Sequence, residues 1–335
     1  MITTEIKPPY LIFFAEKKEL KFVKTGIGLF EWRRDLCVGQ LGIDGGHLEI
    51  ELPQMSIKEA HAAGVKSLII GTTSIGGGLP AQWMDTFIEA ANIGMDIVGG
   101  LHEQLNDAPD LKKAADKSGA KLIDIRVPPK NIPVGTGKKR SGKRVLMVGT
   151  DCAVGKKYTA LALERDMLKA GMDVDFRASG QTGIIIAGKG IPIDAVVVDF
   201  ISGAAEILSP DNADNHYDII EGQGGIFHPG YSAVSLGLLI GSQPGAFVVC
   251  HKAGRQNIGG WDDFPLPSIQ QVIDRTTELG KQVNPEIKCV GISVNTEDLS
   301  DEERAPYLEN LSKKYGLPCI DPIKDGTDAI IANLV

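Results

Sequence analysis

The chain has 335 residues, of which 43% are hydrophobic and 23% are charged, so a folded protein with a sizeable core is expected and a largely disordered chain is not. The formal net charge of −8 argues against a general nucleic-acid binder, which usually presents a basic surface. The five cysteines are widely spaced and form no CxxC pair, so we expect no disulfide framework and no zinc site, and we expect a reducing cytoplasm.

The first half of the chain alternates between strand-like and helix-like segments. The apolar run over residues 10–15 predicts a first strand, and it is too short for a signal peptide or a membrane span. Further strands are predicted over 66–72, 96–101 and 120–126, and helices over 80–94 and 108–119. This alternation indicates βαβ units around a parallel sheet, so we predict a Rossmann-like domain over residues 1–135.

A connector follows over residues 127–144. It contains three prolines, three glycines and six basic residues and has no apolar periodicity. Proline interrupts both helices and strand ladders, so we predict an exposed linker whose basic side chains are solvated rather than bound to a partner.

The second half predicts another parallel-sheet domain, over residues 136–335. Its continuous apolar runs suit strands that are buried on both faces of a sheet. The predicted strands are 144–150, 172–177, 195–200, 217–224, 246–252, 288–295 and 318–322, and the predicted helices are 156–171, 268–280 and 301–316. Ligands of such sheets bind at the carboxyl ends of the strands, so we expect the chemistry where each run ends.

The stretch GTDCAVGKK follows a predicted strand and opens a predicted helix, as a phosphate-binding loop does. In the usual G-x-x-x-x-G-K-S/T pattern, backbone N–H groups surround the phosphate, Lys adds a charge and Ser or Thr binds magnesium. Gly155 and Lys156 match this pattern, while Gly149 begins the turn one residue early. The residues predicted to bind a phosphate-bearing cofactor are Gly149, Thr150, Asp151, Cys152, Ala153, Val154, Gly155, Lys156 and Lys157.

Lys157 stands where the magnesium ligand usually does, and two interpretations are open. Either a metal is held by other residues, as an ATP-dependent ligase or kinase requires, or the bound phosphate needs no metal. Coenzyme A carries phosphates but reacts at its distant thioester, so two lysines and N–H groups are sufficient to hold it. The residue at position 157 does not decide between the two.

Several motifs resemble known proteins. GTDCAVGKK together with EGQGG at 221–225 is similar to dethiobiotin synthetase, an ATP-dependent ligase, over the C-terminal half. Six stretches distributed over the whole chain form a second pattern: GLHEQL at 100–105, GTDCAVGKK, RASGQTG at 177–183, VVVDF at 196–200, EGQGGIFHPGYS at 221–232 and CHKAGR at 250–255. In these stretches the whole chain more closely resembles the D-glutamate N-acetyltransferase family.

That resemblance implies an α/β protein with a Rossmann-like N-terminal domain and a P-loop NTPase-like C-terminal domain. It also implies transfer of an acetyl group from acetyl-CoA to the amine of D-glutamate, and a partner enzyme that acts on N-acetyl-D-glutamate. We expect acetyl-CoA as co-substrate, no metal, no nucleic-acid or membrane partner, and a homo-oligomer. The alternative is a dethiobiotin-synthetase-like ligase or kinase that uses ATP and magnesium.

Acetyl transfer to an amine requires a proton acceptor and groups that position both substrates. Glu221 and His228 are candidate bases, and Asp199, at the predicted end of a strand, is a candidate partner of the substrate ammonium or of Lys156. Cys152 is a conceivable acetyl acceptor, but we expect its side chain to pack under the loop. The residues predicted to bind the carboxylates of the amino acid are Arg177, Ser179, Gln181, Thr182, Lys252 and Arg255.

Overall fold

The computed structural model describes residues 5–19, 22–74 and 77–334. Contacts divide the chain into two compact units. The N-terminal unit ends at residue 128 but also includes residues 181–192, and the C-terminal unit comprises 129–180 and the chain from 193 onward. Residues 129–135 therefore lie with the C-terminal unit. Among the described residues, no helix combines the length and the apolar character needed to cross a bilayer.

The N-terminal unit is built on a five-stranded sheet in the order β2-β1-β3-β4-β5, and all its strand pairs are parallel. Its strands are β1 (Tyr10–Ala15), β2 (Cys37–Gly42), β3 (Ser67–Ile70), β4 (Asp96–Gly99) and β5 (Leu122–Asp124). Its helices are α1 (Lys24–Trp32), α2 (Ile57–Ala62), α3 (Ala81–Asn92), α4 (Pro109–Ser118) and α6 (Gln181–Ala187). Phe13, Trp83 and Phe87 meet edge to face in its core. The predicted Rossmann-like arrangement is confirmed.

The C-terminal unit is built on a six-stranded parallel sheet in the order β13-β12-β9-β6-β8-β7. Its strands are β6 (Lys143–Gly149), β7 (Val174–Arg177), β8 (Tyr217–Ile220), β9 (Ala246–Lys252), β12 (Lys288–Asn295) and β13 (Cys319–Ile320), and a separate antiparallel hairpin joins β10 (Asn257–Ile258) to β11 (Trp261–Pro265). Its helices are α5 (Lys156–Lys169), α7 (Ile201–Leu208), α8 (Ser232–Ser242), α9 (Ile269–Gly280), α10 (Asp301–Tyr315) and α11 (Asp328–Leu334).

Strand β6 lies at the centre of this sheet, between β9 and β8. Its last residue, Gly149, pairs with Cys250 of β9, and Leu146 pairs with Ile220 of β8. Because the three strands are parallel, the loop after β6, Glu221 after β8 and Lys252 at the end of β9 emerge on one edge of the sheet. This edge is where an open parallel sheet binds its ligands.

The strand predicted over 195–200 is wrong. Residues 193–195 and 198–200 form turns of 3-10 helix, and Val197 and Val198 are 65% and 61% exposed. The run has strand propensity, but its residues form two short 3-10 turns that lead directly into α7, and they do not pair with the edge strand β7. Asp199 is consequently an exposed carboxylate on a turn rather than a buried one at a strand end.

The connector is exposed over most of its length, as predicted, but its two arginines, Arg140 and Arg144, are not solvated. The Arg140 guanidinium donates to the carbonyls of Ser209 and Gly241 at 2.8 Å, close to the carboxyl ends of α7 and α8. Arg144 is 5% exposed and donates to the carbonyl of Ser141 at 2.8 Å. Helix ends leave carbonyls without intrahelical partners, and cations there are stabilising. These two arginines are therefore not solvated, and their hydrogen bonds to backbone carbonyls stabilise the packing of the connector.

Candidate active site

The loop between β6 and α5 has the conformation that an anion site requires. Gly155 ends it in the left-handed region, with φ of 101°, and places its successor at the start of α5. A Cβ on Gly149 would lie 3.0 Å from the Lys156 Nζ and 2.9 Å from a Val154 methyl, so only glycine fits there. The amino end of α5 thus faces the loop with its N–H groups and its positive dipole end.

Lys156 joins the loop to the turn that follows β8. Its ammonium donates to the carbonyl of Asp151 at 2.8 Å and to that of Gly224 at 2.7 Å. Burial lowers the pKa of Lys156, and the neighbouring acidic and thiol groups act in the opposite direction. An ammonium has three donors, so a bound anion can accept a further hydrogen bond from it.

Asp151 fixes the hairpin against the loop. Its carboxylate is fully buried, and Oδ2 accepts from Arg255 Nη1 and from the Gly259 amide, both at 2.8 Å. Oδ1 accepts from the Cys152 amide at 2.6 Å. Arg255 also donates to the Cys152 carbonyl at 2.8 Å. Arg255, predicted to bind substrate, therefore contacts the phosphate loop, and a buried charge that is paired and hydrogen-bonded in this way is tolerated.

Glu221 is the carboxylate whose environment most suits proton transfer. It is 5% exposed, and its Oε2 accepts from the amides of Ser179 at 2.9 Å and Gly180 at 3.0 Å. Burial raises the pKa of Glu221 from 4.5 to about 7, while these amides and the charge of Lys157 partly oppose the rise. A base with a pKa near neutrality accepts a proton readily at physiological pH.

Lys157 and Ser179 belong to the surroundings of Glu221. Lys157, which stands in the usual magnesium-ligand position, draws the pKa of Glu221 downward. The Ser179 hydroxyl donates to the Glu221 carbonyl at 2.6 Å and accepts from Gln223 Nε2 at 2.9 Å. Gln223 was not predicted, and the Gly-rich stretch around it was the only signal for it in the sequence.

His228 is buried, and one backbone contact fixes its tautomer. The Gly230 amide donates to Nδ1 at 3.1 Å, so in the neutral ring the proton sits on Nε2. Burial lowers the pKa of His228, which keeps the ring neutral. Nε2 lies 3.7 Å from Asp151 Oδ1. The ring is therefore a hydrogen-bond donor at Nε2, whereas the predicted base role needs an acceptor there.

The same contact bears on metal binding. Asp151, Cys152 and His228 each place one ligand-type atom within 4.8 Å of the others. However, a protonated Nε2 has no lone pair for a metal, and burial raises the pKa of the Cys152 thiol, which disfavours the thiolate form. The carboxylate is also already held by Arg255. These three residues, which the described part of the chain brings together, do not fit a metal.

Two of the other predicted cations are occupied by ion pairs. Arg177 is 2% exposed, and its guanidinium contacts Asp218 at 2.6 Å and Asp175 at 3.3 Å. Lys252 pairs with Glu297 and Asp298. A guanidinium that is buried with its own carboxylate partner stabilises the fold, and it has to exchange partners before it can bind a substrate.

Gln181 and Thr182 belong to a different unit from the other predicted substrate-binding residues. They open α6, which belongs to the N-terminal unit. The Thr182 hydroxyl lies 3.0 Å from that of Thr25, and the Gln181 side chain packs against Gly100. Gln181 and Thr182 follow Ser179 closely in the sequence. However, the chain passes from the C-terminal unit to the N-terminal unit at residue 181.

A parallel sheet with a phosphate loop after its central strand, preceded by a Rossmann-like unit, defines a two-domain α/β protein of the P-loop class. The family model of a P-loop domain of unknown function, DUF1611_C, matches residues 133–331, and that of a Rossmann-like domain of unknown function, DUF1611_N, matches residues 44–128. The chain belongs to the DUF1611 family.

Individual relatives cover nearly the whole chain. A protein named D-glutamate N-acetyltransferase from Pseudoalteromonas is 47% identical over 98% of this chain and 99% of its own length. Another of that name, from Tritonibacter scottomollicae, is 43% identical over 97% and 98%. The crystal structure of a DUF1611 family protein from Anabaena variabilis superposes with a TM-score of 0.88 at 30% identity, over 98% of this chain and 99% of that one.

Proposed function

We propose that this protein is an N-acetyltransferase that moves an acetyl group from acetyl-CoA to the amine of D-glutamate. The observation that carries the proposal is the similarity, at 43% and 47% identity over nearly the full length of both chains, to two enzymes of that name. The buried Glu221, with a pKa of about 7 beside an anion-binding loop, supports it on chemical grounds.

The loop holds a phosphate of acetyl-CoA in this proposal. The amides at the start of α5 and the Lys156 ammonium provide donors and positive charge, and Lys157 adds a second charge where a metal ligand usually stands. The reaction does not act on the phosphates, so no magnesium ion is needed to neutralise charge that develops during phosphoryl transfer. The pantetheine arm is long and flexible, and it folds back to bring the thioester to Glu221.

Glu221 acts as the general base. Its carboxylate takes a proton from the ammonium of D-glutamate, and the free amine attacks the thioester carbonyl carbon. The carbon–sulfur bond to CoA then breaks as the new amide bond forms. The nitrogen loses its second proton to the departing CoA thiolate, which becomes the thiol, and Glu221 releases the proton that it took to solvent. Ser179 positions Glu221 through its amide and its hydroxyl. Positioning and base catalysis together are the contributions that such a transfer requires.

Three further expectations belong to the same proposal. The unpaired state of all five cysteines suits a cytoplasmic enzyme. The product, an N-acylated D-amino acid, suits a partner enzyme that acts on the acetylated form. Assembly into a homo-oligomer is expected as for many enzymes of this size.

The test is release of free CoA thiol. Purified protein is mixed with acetyl-CoA, a chelator and a panel of D- and L-amino acids. Thiol release with D-glutamate, undiminished by the chelator, is the expected result. If none of the amino acids causes thiol release, and the protein hydrolyses ATP once magnesium is added, it is instead an ATP-dependent ligase or kinase.

A further inference from the structure

Three aromatic rings, which we call the aromatic corner, lie together beside the phosphate loop. The His228 ring centroid lies 4.5 Å from that of Tyr231 and 4.7 Å from that of Trp261. Tyr231 and Trp261 are 6.0 Å apart, with planes at 81°. His228 is buried, but Tyr231 is 49% exposed and Trp261 is half-buried. Part of Tyr231 and part of Trp261 are therefore open to solvent, and the planes of the two rings are nearly perpendicular.

The aromatic corner is attached to the loop on both of its sides. The Gly224 carbonyl accepts from the Lys156 ammonium at 2.7 Å, and a Cβ on Gly224 would lie 3.0 Å from the Cβ of Tyr231. In the hairpin, the Gly259 amide donates to Asp151 Oδ2 at 2.8 Å. The exposed rings thus lie next to residues that contact the loop directly.

We propose that the aromatic corner binds the adenine ring of acetyl-CoA, stacked on the exposed face of Tyr231 with Trp261 against its edge. The inference rests on the proposed function, in which the loop holds a phosphate of the same molecule. A single ribose joins a base to its phosphates, so the surface that binds the base has to lie close to the phosphate site. Every base has a flat π-face, and stacking on exposed aromatic side chains is the usual way to bind it.

The charges beside the corner favour a base over a further phosphate. Asp262 and Asp263 follow Trp261 and are exposed. Their carboxylates repel phosphate but not an uncharged ring, whose exocyclic amine can donate to them. The pantetheine arm is uncharged as well, but it has no flat face to lie against Tyr231. The adenine ring is the part of CoA that matches both the shape and the charge.

Calorimetric titration of the whole protein with fragments of CoA tests this assignment. The ligands are CoA, adenosine 3′,5′-bisphosphate, which contains the base, and pantetheine 4′-phosphate, which lacks it. Tyr231→Leu keeps an apolar side chain against His228 but removes the π-face, and Tyr231→Phe restores it. Phe264→Leu is the matched control, because Phe264 is a 46% exposed aromatic residue on β11, the strand that carries Trp261, and it lies outside the aromatic corner.

Tyr231→Leu is expected to raise the Kd of CoA and of the adenosine fragment roughly 5- to 150-fold, in line with the loss of one stacked base. Tyr231→Phe and Phe264→Leu should leave both values unchanged, and no variant should alter the Kd of the pantetheine fragment. An unchanged Kd for the adenosine fragment, or an equal loss for the pantetheine fragment, would overturn the assignment.

The design also separates this inference from the proposed function. If the wild-type protein neither binds CoA nor releases thiol from acetyl-CoA, the proposed function fails. If it does both while Tyr231→Leu binds the adenosine fragment normally, the acetyltransferase stands and only the adenine site is wrong.

Discussion

Replacing Glu221 by glutamine tests the proposed base, because glutamine keeps the shape and the amide contacts but cannot take up a proton. The glutamine oxygen can still accept from the Ser179 and Gly180 amides. A positioned general base contributes roughly 10²- to 10⁴-fold to a rate, so we expect kcat to fall by about that factor. In the wild-type enzyme kcat/KM should rise with pH to a plateau, with its midpoint near 7, the pKa of Glu221, and the variant should lose this dependence.

The same substitution has a consequence for stability that can be worked out in sign and size. Burial raises the pKa of Glu221 from 4.5 to about 7, so between these values the folded protein holds a proton that the unfolded chain has released. Stability therefore decreases as the pH rises through this window. Relative to the wild type, Glu221→Gln should gain about 1 kcal/mol at pH 5 and about 3 kcal/mol at pH 8, because its side chain is neutral at both.

The measurements are initial rates of thiol release and urea denaturation at the two pH values. Glu297→Gln is the matched control, because hydrogen bonding to Lys252 lowers the pKa of Glu297 at the protein surface. This control should keep full activity and gain no stability at the higher pH. Full activity in Glu221→Gln would remove Glu221 as the base, and equal stability differences at both pH values would refute the argument from burial.

Three further substitutions test the surroundings of the site. Lys156→Ala should raise the KM for acetyl-CoA by roughly 10- to 150-fold, the value of one charge-assisted hydrogen bond, and should leave the KM for D-glutamate unchanged. Steady-state kinetics with each substrate varied in turn measures both values. Equal effects on the two KM values would contradict a phosphate site. Arg177→Ala removes the guanidinium from the buried Asp218 and leaves it only the contact with His216 Nε2 at 3.3 Å, so the free energy of unfolding in urea should fall by about 3–5 kcal/mol. Intact stability with a raised KM for D-glutamate would return Arg177 to the substrate site. Arg140→Ala should lower the free energy of unfolding in urea by about 1–3 kcal/mol, because it leaves carbonyls near the ends of α7 and α8 unsatisfied. An unchanged midpoint of urea denaturation would mean that Arg140 is solvated after all.

The elements that could be predicted from the sequence are those whose signal is local. Strands β6, β9 and β12 are continuous apolar runs, and the phosphate loop occupies one uninterrupted stretch between a strand and a helix. Helices α9 and α10 begin after serines, Ser268 and Ser300, and each serine forms a capping box with the residue three positions later in the chain. In each case neighbouring residues supply the physical cause, so a pattern in the chain is enough.

Where the sequence misled, the deciding partner lies far along the chain. The valine run before Asp199 has strand propensity, but a strand forms only where the fold places the run beside a partner strand, and here the chain turns into α7 instead. Arg177 was expected to bind a substrate carboxylate because it ends a strand. In the folded protein Asp218, 41 residues away, already occupies its guanidinium.

What the sequence alone determined is the α/β class, the two-part organisation and the P-loop between a strand and a helix, because hydrophobic periodicity, glycine geometry and helix starts are properties of short segments. Only the tertiary structure decided the chemistry around that loop. Burial raises the pKa of Glu221, Arg255 and Gly259 reach Asp151 across more than a hundred residues, and the Gly230 amide sets which His228 nitrogen carries the proton. Desolvation and hydrogen bonding depend on what surrounds a side chain, and that exists only after the chain has folded.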